Sequence, residues 1–228
     1  MSLKINKTAN NIIKVVGWIV VLIIIILMAK ILIWEHNYYD SKSRERRATA
    51  PAVITEIAGA IKPSEIQPSQ HEIDAHQVAA DEPRYLSIPR LGLNQLIIAG
   101  TSVNAHVLQV PDNIYETAWY AGSSRPGTGS YIVISGLAMG DSGQKGAFSD
   151  LDSLEQGDTI KIITGSGDSF TYVVQIVSIT DSSNAEQQLI EVQKPIDGKE
   201  TLVLVTGLKS SAAATYESIA MVQATLQR

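Results

Sequence analysis

Between Pro83 and Leu226 the chain breaks into eight short runs of β-branched and apolar residues, each ended by a turn signal. This punctuation constrains the fold more than any other feature. The runs are Tyr85–Pro89, Gln95–Ala99, Ala118–Ala121, Tyr131–Ser135, Thr159–Ile163, Phe170–Ile179, Thr201–Thr206 and Ile219–Leu226. They are too short for helices and lack the 3.6-residue apolar period, so they read as strands. The separating segments include Pro126-Gly-Thr-Gly129, Gly140-Asp-Ser-Gly143, Gly157-Asp158, Gly165-Ser-Gly-Asp168 and Asp197-Gly198. Each carries residues that tolerate positive φ, as tight turns require. The turn at Asp168 joins two strongly alternating segments and is the best hairpin candidate. The pattern predicts a mainly β domain over 83–228, a barrel or a sandwich, with no repeat of fixed period.

The N-terminal part has a different texture. Ile12 to Trp34 is a 23-residue apolar stretch interrupted only by Lys14 and Lys30, near its two ends. At about 1.5 Å per residue it covers the roughly 30 Å of a bilayer's hydrocarbon core. Both lysines can snorkel to the interfaces, and Trp18 and Trp34 suit the aromatic belts. No small-residue cleavage site follows, so the stretch reads as one uncleaved transmembrane helix after a short tail, 1–11. Lys4, Lys7 and Lys14 precede the core, and Lys42, Arg44, Arg46 and Arg47 follow it, so loop charge alone nearly balances.

Residues 35–82 read as a flexible polar linker, because from Asp40 to Glu82 Ser, Pro, Gln, Glu and Ala dominate and no aromatic residue occurs. As a coil of about 40 residues it spans on the order of 35 Å. Val53–Ile61 within it suits a short helix. His71 and His76 read as solvated linker residues, with no third ligand evident for a metal.

Composition excludes several functions. The 228 residues contain no cysteine, so no disulfide, thiolate nucleophile or cysteine-held zinc is possible. With 18 Lys and Arg against 23 Asp and Glu, the net charge is −5. No basic footprint for nucleic acid is present, and no cofactor motif appears.

The order of motifs across the domain resembles the sortase family. Arg84-Tyr-Leu-Ser-Ile-Pro89 with Leu91-Gly-Leu93 matches the opening strand and turn. Val110-Pro111, Trp119-Tyr120 and Pro126-Gly-Thr-Gly129 follow in family order. Phe148, Leu151, Leu154 and Gly157-Asp158 match an "F..L..L..GD" run, Thr201–Thr206 the strand that ends in the nucleophile, and Tyr216, Val222 and Ala224 the last strand. The resemblance implies an eight-stranded β-barrel with short helices, preceded by an N-terminal anchor. It also implies a single-pass protein of the cell membrane, N-terminus inside, with the C-terminal domain extracellular.

In sortases a Cys attacks the sorting-signal carbonyl, a His protonates the leaving amine and an Arg supports the oxyanion. The matching positions here hold Leu137, Gly207 and Glu217, or Ile219 in another register. Leu137 transfers no proton, Gly207 has no side chain, and a carboxylate opposes a developing oxyanion. The expectation is a catalytically inactive sortase-like protein that binds an extended peptide or an envelope protein, or serves cell-envelope architecture. Ser135, Thr206, Ile190 and Val192 are the peptide-groove candidates, the last two in the 182–199 crossover. One apolar helical face packed on the barrel is the competing role for Ile190 and Val192. The alternative function is acyl transfer or hydrolysis by relocated residues, Thr206 or Ser210 with His106.

Overall fold

All eight runs are strands, and they close on themselves. The computed structural model describes Lys30 and residues 63–100, 111–209 and 216–227. The chain divides into two compact units, Met1–Arg46 and Arg47–Arg228, and only Lys30 of the first is described, as an exposed helical residue. The 12–34 stretch, apart from Lys30, and the 53–61 segment lie outside the described residues. Among the described residues no helix is long and apolar enough to cross a membrane.

The strands are β1 (Pro83–Ile88), β2 (Leu93–Gly100), β3 (Thr117–Trp119), β4 (Tyr131–Gly136), β5 (Thr159–Thr164), β6 (Ser169–Asp181), β7 (Thr201–Lys209) and β8 (Tyr216–Leu226). They form a closed barrel in the order β1-β2-β3-β4-β7-β8-β6-β5. The Gly165–Asp168 turn joins β5 to β6, with Ile163 opposite Ser169, Gly167 at φ 91° and the Thr164 N–H donating to the Asp168 carbonyl at 2.9 Å. β2 with β3 and β4 with β7 are the parallel pairs, and a parallel pair needs a crossover. For β4 and β7 that crossover includes helix α2 (Ala185–Val192).

The barrel wall separates two apolar clusters. Inside, Leu86, Ile98, Ile132, Ile134, Phe148, Ile162, Tyr172, Leu202, Leu204 and Val222 pack together. Outside, Tyr131 and Val133 of β4, Val203 and Val205 of β7, and Ile219 and Met221 of β8 pack with Ala185, Leu189 and Val192 of α2. β4 is therefore buried at every residue, which explains its unbroken Ile-Val-Ile run: a strand covered on both faces loses the polar alternation of a half-exposed one.

One carboxylate is buried with the interior cluster. Glu200, at the entry to β7, accepts hydrogen bonds from the Tyr172 hydroxyl at 2.6 Å and from the N–H groups of Gly127 at 2.9 Å and Gly129 at 2.6 Å. The turn Pro126–Gly129, with φ of 82° and 87° at its glycines, aims two donors inward, and Glu200 satisfies both. Burial and the adjacent Glu200 charge push the Tyr172 phenol far above the usual tyrosine range.

Residues 63–82 differ from the flexible coil expected of the linker. Helix α1 (Gln70–Ala75) opens on a capping box between Ser69 and Glu72. The Tyr85 hydroxyl donates to the Ile73 carbonyl at 2.5 Å, and Arg84 donates to the carbonyls of His76 and Asp74 at 2.7 and 3.0 Å. His76 is half-buried, with Nε2 3.0 Å from the Ile98 carbonyl; a carbonyl only accepts, so this nitrogen carries the proton. Farther along, Arg125 pairs with Asp81 and Glu82 at 2.9 and 3.2 Å. The acceptors from 73 to 76 are backbone carbonyls, which side-chain composition does not register. His71 is exposed.

Candidate functional site

The positions singled out in the sequence meet on the outer face of β4, β7 and β8. β4 and β7 pair in parallel from Tyr131↔Thr201 to Ser135↔Val205. Leu137 lies two residues past Ser135, the last residue of β4 paired with β7. On the other side of β7, Gly207 pairs with Ile219 of β8. Gly207 and Ile219 thus form a row across β7 and β8, with Leu137 just past the end of β4. Gly207 shares the side-chain parity of Val203 and Val205, so the row belongs to the outer face.

The row is apolar and buried. Leu137 is 4% exposed and Ile219 3%, and Gly207 is buried as well. Glu217 lies two residues beyond Ile219 and is exposed. The register settles which residue faces Gly207: it is Ile219. The Leu137 carbonyl accepts from the Phe148 N–H at 2.9 Å. Gly146 makes this crossing possible, because a Cβ there would lie 2.3 Å from the Leu137 oxygen. The loop between them is held by Glu65, whose carboxylate accepts from the Ser142 N–H at 2.9 Å and from its hydroxyl.

The other candidates are spread over both faces. Ser135 is buried on β4, its hydroxyl 3.4 Å from the Ala118 carbonyl. Thr206 pairs with Ala220 and has the interior parity of Leu202 and Leu204. Its hydroxyl is buried and has no hydrogen-bond partner among the described residues. On α2, Val192 is packed in the outer cluster and Ile190 is half-buried. His106 and Ser210 lie outside the described residues. No group of three or more His, Asp or Glu among the described residues is placed to hold a metal ion.

Chemically, the row offers no nucleophile, no proton carrier and no cation. In the outer cluster, the Tyr131 phenol is pushed up to about 12, first by burial and then by the neighbouring Tyr120. At neutral pH it is a neutral hydroxyl. Sequence reading missed Glu200 and the packing of 63–82. The double-glycine turn at 127 and 129 was the available signal for Glu200, since two inward N–H groups require an acceptor.

Comparison with known proteins agrees with this architecture. Sortase A from Corynebacterium diphtheriae superposes with a TM-score of 0.52 at 18% identity, over 82% of this chain and 80% of that one. Its lid mutant gives 0.51 at 17% identity, over 82% and 91%. Group B Streptococcus Pilus Island 1 Sortase C2 gives 0.53 at 13% identity, over 85% and 97%. At these identities the likeness is one of fold. No curated protein sequence matches the chain. The sequence profile of the Sortase domain matches residues 86–227, more than half of the chain, and the chain belongs to the sortase family.

Proposed function

We propose that this is a sortase-family protein without transpeptidase activity, held in the cell membrane by residues 12–34 with its C-terminal domain outside. It acts in the envelope through architecture or binding. One observation supports the reading: Leu137 and Gly207 stand at the positions that the resemblance assigns to the proton donor and the nucleophile, and Ile219, which pairs with Gly207, supplies no cation. The absence of any cysteine in the sequence supports it independently. By analogy with proteases, losing a nucleophile or base alone costs on the order of a million-fold in turnover.

Between the two uses, the burial of Leu137 and Val192 favours architecture. An extended peptide docking on β4 and β7 would meet an outer face already packed beneath α2. Docking of an envelope peptide near Gly207 is the second reading, supported by the missing side chain at that position. The test uses residues 63–228 with a panel of sorting-signal peptides and an amine acceptor, following both product and binding. No cleavage or transfer above buffer is expected; measurable turnover would overturn the proposal. Binding without turnover would select the second reading over the first.

A further inference from the structure

The dipeptide Asp-Gly occurs once in the sequence, at Asp197-Gly198, and the fold gives it a distinctive setting. Asp197 is the one non-glycine residue at positive φ among the described residues, 51°, and Gly198 follows at 68°. Two central residues at positive φ make a type I′ turn, in which Asp-Gly is a favoured pair. Ile196 and Lys199 bridge across it, and the Lys199 N–H donates to the Ile196 carbonyl at 2.9 Å. Both central residues are exposed, and a Cβ added at Gly198 would meet no atom within 4 Å.

Neither reactive group of this pair is engaged. Among the described residues the Asp197 carboxyl has no hydrogen-bond or ion-pair partner, and the Gly198 N–H donates to no acceptor. Two exposed Asp-Ser pairs show the contrast. Asp168 is held by the Ser166 hydroxyl at 2.7 Å. The nitrogen after Asp152 is committed, because the Ser153 N–H donates to the Asp150 carbonyl at 3.1 Å. In both pairs the following residue also carries a Cβ, which crowds its own nitrogen.

We propose that Asp197 is a site of spontaneous isoaspartate formation in the folded protein. The Gly198 nitrogen attacks Cγ of the Asp197 carboxyl group. A C–N bond forms, the nitrogen gives up its proton, and the carboxyl hydroxyl departs with that proton as water, leaving a five-membered succinimide. Water then adds back to the ring. Opening the bond between the nitrogen and Cγ restores aspartate. Opening the bond between the nitrogen and the main-chain carbonyl carbon leaves the chain running through Cγ, with the former main-chain carbonyl as a free carboxylate. One water leaves and one returns, so mass is unchanged and no oxidant or reductant takes part. Nucleophile and carbonyl are neighbours on one chain, which makes the attack intramolecular. Ring closure requires rotation about the Asp197 Cα–C bond, and the open surroundings of the turn allow it without moving a packed side chain.

The product has one more methylene in its main chain. Both ends of the turn are fixed, since the Ile196 N–H donates to Thr201 Oγ1 at 2.9 Å and that hydroxyl donates to the Lys199 carbonyl at 3.2 Å. Glu200, the acceptor for Gly127 and Gly129, comes next. The added length therefore falls on the entry to β7. This goes beyond the inactivity reading and does not depend on it.

The test incubates the full chain, folded in detergent at neutral pH, beside a second sample unfolded in urea. A protease that cuts after Glu191 and Glu200 releases residues 192–200, which are compared by chromatography with synthetic peptides carrying aspartate or isoaspartate at 197. Isoaspartate is expected to accumulate at 197 in the folded chain, while the peptides holding Asp152 and Asp168 stay unchanged. The urea midpoint of the folded sample is expected to fall in step. Gly198→Asn keeps a residue that tolerates positive φ and adds a Cβ beside the attacking nitrogen, so it is expected to slow the accumulation several-fold. Isoaspartate in the urea sample alone, in neither sample, or at the same rate at 152 and 168 overturns the proposal. An unchanged rate in Gly198→Asn overturns it too, and a constant midpoint while isoaspartate accumulates refutes the effect on β7.

Discussion

Replacing Glu200 by Ala is expected to destabilise the domain by on the order of 3 kcal/mol, since each buried donor left unpaired costs about 1–3 kcal/mol. Three donors are at stake: the N–H groups of Gly127 and Gly129 and the Tyr172 hydroxyl. Tyr172→Phe removes one of them and leaves the carboxylate two, so a loss of about 1–2 kcal/mol is expected. Urea midpoints of the two variants check the ranking, and an equal loss in both would refute the assignment of Glu200 as the turn's acceptor. Glu200 follows Lys199 and a surface turn, so nothing local marks it as buried. Leu137 and Gly207 behave differently. Both follow apolar runs that local pattern identifies, but which β8 residue faces Gly207 depends on strand register, and the pairing with Ile219 emerges only in three dimensions.

The elements were readable where neighbours along the chain determine them. β5 and β6 follow from alternation and a glycine turn, and β4 and β7 from unbroken apolar runs that signal burial on both faces. Segment 63–82 was not, because its fixation comes from distant partners. Arg84, Tyr85 and Arg125 reach it from the barrel, and the N–H groups of Gly165 and Ser166 donate to the carbonyls of Glu82 and Ala80 at 3.0 and 2.9 Å. A fragment starting at Pro83 is therefore expected to be less stable than one starting at Pro63. Net contributions of about 0.5–1.5 kcal/mol per hydrogen bond, over the six between 73–82 and the barrel, suggest a loss of roughly 3–9 kcal/mol. Thermal melts of the two fragments test this, and equal midpoints would mean that the segment lies on the barrel without stabilising it.

At the scale of the whole barrel, buried phenols on both sides of the wall set how stability responds to alkali. Tyr131 lies in the outer cluster with its phenol raised to about 12, and Tyr172 lies in the inner one, raised further by burial and by Glu200. In the unfolded chain both lose their protons near pH 10. Above that pH the unfolded state binds fewer protons than the folded one, so stability falls as pH rises. The contribution of each phenol is fully present below about pH 10 and is lost as pH climbs toward the folded value. The slope is at most about 1.4 kcal/mol per pH unit for each phenol. Unfolding free energy is thus expected to show no tyrosine-linked fall up to about pH 9 and to decline steeply between about pH 10 and 12. The Tyr131→Phe variant is expected to lose part of that slope and keep the part due to Tyr172. Urea titrations at stepped pH measure both. Wild-type stability unchanged from pH 10 to 11.5, or an identical slope in Tyr131→Phe, would show that the outer cluster admits solvent at Tyr131. That result would also weaken the architectural reading, which rests on the outer face of β4 and β7 being closed beneath α2.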